Sequence, residues 1–112
     1  MIDLDALAFI DQWLDDGVAG HYPPMAQDWA RVAKISEEQG EAIAELIAYT
    51  GQNPRKGPPD PHARGRLLLE LADVALTSIL AIQHFTKDTG QTSRVVSARL
   101  QRLNDRLKEL GP

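Results

Sequence analysis

The sequence predicts an all-α fold of four helices, and three observations carry that prediction. Leu67–Ile82, LLLELADVALTSILAI, is apolar over most of its circumference and runs far past strand length. Residues 26–50 repeat their apolar positions at helical spacing. No run alternates apolar and polar residues as a half-buried strand would.

The elements follow in order. The first helix is expected over Asp3–Asp16, capped by Asp3 or Asp5, with Leu4, Leu7, Ala8, Ile10, Trp13 and Leu14 on its apolar face and Gly17 and Gly20 as its stop. The short loop VAGHYPPMAQ follows, and its Pro23 and Pro24 suit entry to a new helix, where a missing N–H costs nothing. The second helix is expected from about Ala26 to Thr50. Trp29, Val32, Ser36, Ile43, Leu46 and Ile47 lie on or beside one face, and Lys34, Glu38, Glu41 and Glu45 lie opposite. Residues 51–65 hold four prolines and three glycines, which makes them a long connector; a loop of this length in a small domain is often functional or disordered. The third helix runs from about Gly65 to Lys87, Asp88–Gly90 reads as a turn, and the fourth helix runs from about Thr92 to Leu110. Val95, Val96, Leu100, Leu103 and Leu107 are its packing residues, with Arg94, Arg99, Arg102, Arg106 and Lys108 outside. The third helix carries more apolar surface than three neighbours would readily cover, so the sequence predicts self-association into a larger bundle.

Composition narrows the function. At 112 residues and 43% hydrophobic, the chain suits one domain with one core. Sixteen acids against twelve bases give a formal net charge of -4, which argues against a nucleic-acid polymer as partner. With no cysteine there is neither a disulfide nor a thiolate metal site. The acidic start, MIDLDALAFIDQW, lacks the positive region of a signal peptide, and no apolar run is long enough to span a membrane. A cytoplasmic protein with no membrane partner is the expectation.

Acids are rarely buried unless they are paired or hold a metal, yet Glu70 and Asp73 interrupt the most apolar helix. At 100° per residue they share a narrow stripe with Arg66 and Thr77. The second helix carries Glu38-x-x-Glu41 in the same i, i+3 spacing, which sets two side chains on one helix face about 5–6 Å apart at Cβ. If the two helices pack antiparallel, as helix–loop–helix units usually do, the pairs face each other and four carboxylates converge. Alone, that is repulsive. With a hard divalent cation it becomes a binding site able to hold a polyphosphate and activate a water. The plainer reading is that Glu38 and Glu41 are a solvated pair, and that Lys34–Glu38 and Arg66–Glu70 are ordinary i, i+4 ion pairs.

The segments KISEEQGEAIAEL and LLLELADVALTSILAI, taken together, resemble the MazG-like branch of the all-α nucleotide pyrophosphohydrolases. The family pattern is E-E-x-x-E, a variable connector, then E-x-x-D in a Leu-rich helix; here it falls on Glu37, Glu38, Glu41, Glu70 and Asp73. The resemblance covers about residues 26–110. It implies a four-helix MazG-like bundle that is a homodimer or homotetramer. It also implies a Mg²⁺-dependent enzyme, with Mn²⁺ as a substitute, that cuts nucleoside triphosphates between the α and β phosphates in a house-cleaning role. By the same resemblance Glu38, Glu41, Glu70 and Asp73 are metal ligands, and Glu37 is a further ligand or orients the attacking water together with Glu38. A different class remains open: a non-catalytic helical module of the same fold that binds a nucleotide or a protein.

Supporting residues have two readings each. Lys34 touches a phosphate or pairs with Glu38. Arg55 and Lys56 sit where a loop could close on a triphosphate, or they are solvated loop charge. Arg99 and Arg102 reach phosphates or lie on a solvated face. Trp13 and Trp29 stack on a base or, as their apolar faces favour, pack in the core. His21 and Tyr22 precede the second helix and could touch a base or sugar. His84 lies about 16 Å along the helix from the Glu70–Asp73 pair, too far to share its metal, and suits the helix C-terminus.

Overall fold

The apolar stretches form helices, and local polar groups set their ends. A computed structural model describes residues 2–18 and 23–111; His21 and Tyr22 lie outside the described residues. Four α-helices follow one another: α1 (Leu4–Val18), α2 (Pro24–Thr50), α3 (Ala63–Thr86) and α4 (Thr89–Leu110). A single 3₁₀ turn, Pro54–Lys56, lies between α2 and α3. Among the described residues there is no strand, and no helix is long and apolar enough to cross a membrane.

Several ends differ from the sequence expectation by one turn or less, each for a local reason. The Asp3 carboxylate accepts the Ala6 N–H at 3.1 Å and starts α1, which continues through Gly17 to Val18. Pro23 is extended, so α2 starts on Pro24. Asp60 starts α3 early: its carboxylate accepts the His62 N–H at 3.0 Å, and its carbonyl accepts the Ala63 N–H at 3.1 Å. Asp88 is a cap rather than part of a turn. Its carboxylate accepts the Gln91 N–H at 3.0 Å, and α4 begins at Thr89.

The α2 and α3 helices run antiparallel along most of their length. The start of α3 meets the end of α2 where Arg66 donates to Glu45, and its end meets the start of α2 where His84 contacts Asp28. The connector between them is folded onto the hairpin. The Asp60 N–H donates to Ala48 O at 2.9 Å, Asn53 caps the 3₁₀ turn through the Arg55 N–H, and Arg66 bonds Asp60 at 2.9 Å. Helix α1 lies against α3 and α4, with Leu7 buried.

Much apolar surface stays uncovered within one chain. Trp13 and Trp29, expected in the core, are 64% and 72% exposed. Leu68, Leu69, Leu71 and Leu76 of α3 are also exposed, because α2 covers only one side of that helix. In α4, Leu100, Leu103, Leu107 and Leu110 project without a cover, and with Val96 they are spaced alternately four and three residues apart, the seam spacing of a coiled coil. The radius of gyration, 17.5 Å, exceeds the roughly 13 Å of a compact domain of this size.

Gly51 closes α2 in the left-handed region, at φ 65°, and its N–H donates to Ile47 O at 2.9 Å. A Cβ there would lie 2.6 Å from Pro59 Cδ. Gly51→Ala is therefore expected to destabilise the fold by about 1–3 kcal/mol, read as a lower denaturation midpoint with helix content unchanged before the transition.

Candidate metal centre

The antiparallel α2–α3 pair brings Glu38 and Glu41 of α2 onto Glu70 of α3. One carboxylate oxygen from each lies within 4.8 Å of the others. The three differ in surroundings. Glu41 is exposed, Glu70 is half-buried, and the Glu38 side chain keeps only 13% of its surface. Desolvation, followed by the neighbouring charges of Glu41 and Asp73, raises the Glu38 pKa above its usual value, although Lys34 pulls the other way. Asp73, exposed, stands next to the three and is felt by Glu38 without joining the close set.

The partner that could have neutralised Glu70 is engaged elsewhere. Arg66, one turn before it, donates through Nε to Glu45 at 2.8 Å and through Nη2 to Asp60 at 2.9 Å. The Arg66 bond, with the His62 N–H beside it, holds the Asp60 carboxyl below its usual range. Glu70 Oε2 is left buried with no hydrogen-bond partner among the described residues. A buried acceptor without a donor costs free energy, and a charged one more.

Lys34 is the one base that reaches this cluster among the described residues, lying 2.9 Å from Glu37 and 3.6 Å from Glu38. Glu37 thus faces Lys34 at the rim, 60% exposed and outside the close set. Arg55 and Lys56 occupy the exposed 3₁₀ turn beyond the end of α2, and neither makes an ion pair among the described residues. Arg99 and Arg102 are exposed on α4.

A second acid cluster, Asp11, Asp15 and His84, has the same donor spacing and is of another kind. Arg31 Nη2 bonds Asp11 at 2.8 Å and Asp15 at 3.1 Å. Lys87 Nζ bonds Asp11 at 2.8 Å and also Asp15. His84 Nε2 lies 2.7 Å from Asp28. These acids are already matched by cations, so the group is an ionic clasp tying α1 to α2 and to the end of α3. It escaped the sequence reading because its members are far apart in the chain. Its one local signal is Asp11-x-x-x-Asp15, which sets two acids on the inward side of α1.

In comparisons with known proteins the chain matches no family model, no curated sequence and no solved structure.

The clasp gives stability a defined pH dependence. Burial raises the Asp15 pKa, but Lys87 and Arg31 outweigh it and hold it below 3.8. Burial lowers the Lys87 pKa, but Asp11 and Asp15 outweigh it and hold it above 10.5. A carboxyl with a depressed pKa stabilises the fold above its unfolded value and loses that contribution as pH falls through the folded one. An ammonium with a raised pKa does so below its unfolded value and loses it as pH rises. The clasp contribution is thus expected to be flat between these limits and to fade below about pH 3.8 and above about pH 10.5. Comparing chemical denaturation of wild type and Lys87→Met across pH checks this: the difference between them should vanish at both extremes.

Proposed function

We propose that the chain is a Mg²⁺-dependent nucleoside triphosphate pyrophosphohydrolase of the MazG-like kind, releasing nucleoside monophosphate and pyrophosphate. The observation that carries this reading is the cluster of three carboxylates at Glu38, Glu41 and Glu70, with a buried Glu70 oxygen that has no partner among the described residues. The donors fit the cation: all are carboxylate oxygens, which Mg²⁺ and Mn²⁺ prefer, and the opening toward solvent at Glu41 leaves room for phosphate oxygens and water. Glu38, Glu41 and Glu70 are the proposed ligands, with Asp73 beside them. When bound, the ion supplies charge for the phosphate oxygens and makes a bound water more acidic.

The chain's own residues do the rest. Lys34, held between Glu37 and Glu38, offers an ammonium to the phosphate chain at the edge of the cluster. Glu37, exposed and paired with Lys34, is the proposed acceptor of the attacking water's proton. One water is consumed, one bridging P–O bond between the α and β phosphates breaks, and pyrophosphate leaves. Arg55 and Lys56, exposed on the 3₁₀ turn of the connector, are assigned to contact the leaving phosphates when substrate is bound.

Assembly with further copies of the chain belongs to the same reading. The uncovered leucines of α3 and the four–three spaced stripe of α4 support a homodimer or homotetramer. Substituting both Leu103 and Leu107 by Glu is expected to lower the molar mass measured by light scattering. An unchanged mass would show that this stripe takes no part in assembly.

The reaction is tested by incubating the protein with a panel of nucleoside triphosphates, with Mg²⁺ and with chelator. Monophosphate and pyrophosphate are expected only with the metal. Altering residues that merely orient a ligand costs about 10–100-fold, so removing a ligand in Glu41→Gln or Glu70→Gln should cost more than about 100-fold in kcat with helix content intact. Wild-type turnover in either variant contradicts the assignment.

A further inference from the structure

Helix α1 has an outer side as well as an inner one. Leu7 and Asp11 are buried against the rest of the molecule, and at 100° per residue Phe9 falls on the opposite side, with Trp13 one turn beyond it. The two rings are 70% and 64% exposed. Asp5 and Asp16, both exposed, lie along one edge of this ridge, and neither makes an ion pair among the described residues. The whole helix carries four acids and no base.

Helix α4 carries the converse pattern. Leu100, Leu103, Leu107 and Leu110 form an exposed stripe. Arg99, Arg102 and Arg106 line one edge of it, and Ser97 and Asn104 line the other. The helix holds five bases against two acids, and none of the five has an ion-pair partner among the described residues. An acid-edged aromatic ridge and a base-edged leucine stripe are complementary in apolar surface and in charge. They also match in length: at 1.5 Å per residue, Asp5 to Asp16 spans about 16 Å and Leu100 to Leu110 about 15 Å.

The two surfaces do not meet within one chain. Helix α1 lies against the start of α4, where Leu4 and Leu7 line a shared cavity with Thr92 and Val96, and its ridge faces away from that contact. We propose that the outer ridge of α1 docks on the leucine stripe of α4 in a second copy of this chain, with Asp5 and Asp16 facing Arg99, Arg102 and Arg106. The inference rests on the assembly reading for the presence of a second copy, and it is independent of the metal centre. A two-fold axis makes both contacts at once and closes the dimer.

Other pairings of the stripe use its charge less well. Two α4 helices packed antiparallel set arginine edge against arginine edge. Packed parallel, they set it against the Ser97 and Asn104 edge, which leaves the charge unspent. On α3, Leu69 and Leu76 stand one turn to either side of the exposed Asp73, so that face offers an acid to the acids of α1.

A charge exchange tests the contact. One variant carries Asp5→Lys with Asp16→Lys, the other Arg99→Glu with Arg106→Glu; all four positions are exposed, and helix content is checked first. Each variant alone should dimerise roughly tenfold more weakly than wild type, because several weak exposed pairs are replaced by repulsions. Mixed in equal amounts they should regain the dimer mass in light scattering, since the basic α1 of one meets the acidic α4 of the other. Wild-type mass in the α1 variant, or no gain on mixing, overturns the contact. A second measurement uses Trp29→Phe, which leaves Trp13 as the one tryptophan. Its emission should shift to longer wavelength on dilution and on adding Leu103→Glu with Leu107→Glu; an emission unmoved by those α4 substitutions also overturns the contact. A monomeric wild type overturns this contact and the assembly reading together, whereas an oligomer whose mass ignores the α1 charges overturns this contact alone.

Discussion

The structure turns on one carboxylate oxygen, Glu70 Oε2, buried with no hydrogen-bond donor among the described residues. Its charge faces Glu38 and Glu41 rather than a base. A folded chain does not gain stability from three acids within 4.8 Å of one another; desolvation and repulsion both oppose it. The cost is visible in Glu38, which holds its proton above the usual carboxylate range. The arrangement persists because the α2–α3 interface and the folded connector impose it. Arg66 is central to that: by bonding Glu45 and Asp60 it pins the connector and the helix ends while leaving Glu70 unpaired. The two acid clusters make the contrast plain. Asp11 and Asp15 are closed by Arg31 and Lys87, whereas the Glu38–Glu41–Glu70 group has, among the described residues, only Lys34 at its rim.

The rest of the chain can be understood from how it frames that groove. The α2–α3 hairpin sets the carboxylates at one level and an apolar cavity at the next. Helix α1 lines one side of the cavity; Leu7 and Asp11 are its buried residues among those described, and the ionic clasp ties it to α2 and the end of α3. Helix α4 extends away and offers leucines with no counterpart in the same chain. A single copy thus builds the groove and leaves the apolar outer faces of α3 and α4 for other surfaces.

The helices were legible in the sequence because their apolar periodicity is long and the breakers are concentrated in residues 51–62. The ends were less so, because Asp60, in the turn before α3, and Asp88, the cap of α4, accept backbone N–H groups in contacts that a pattern does not reveal. The placement of Glu38, Glu41 and Glu70 together was legible from the two i, i+3 pairs and the expectation of an antiparallel hairpin. Which base pairs with which acid was not: Arg66–Glu70 has ideal spacing, and tertiary partners won. Trp13 and Trp29 sit on apolar helix faces, but no element among the described residues covers those faces. The α4 leucines were legible as packing residues but not as a coiled-coil seam, because two heptads are too few to stand out from ordinary amphipathic spacing.

The most direct test of the central claim is the thermal midpoint of wild type and Glu70→Gln, each in chelator and in Mg²⁺. If Glu70 is an unpaired acid in a cation site, removing its charge should raise the midpoint in chelator, and Mg²⁺ should stabilise wild type but not the variant. A wild-type midpoint insensitive to Mg²⁺, together with a midpoint lowered by Glu70→Gln in chelator, would mean that Glu70 has a structural partner and that the cluster is not a metal centre.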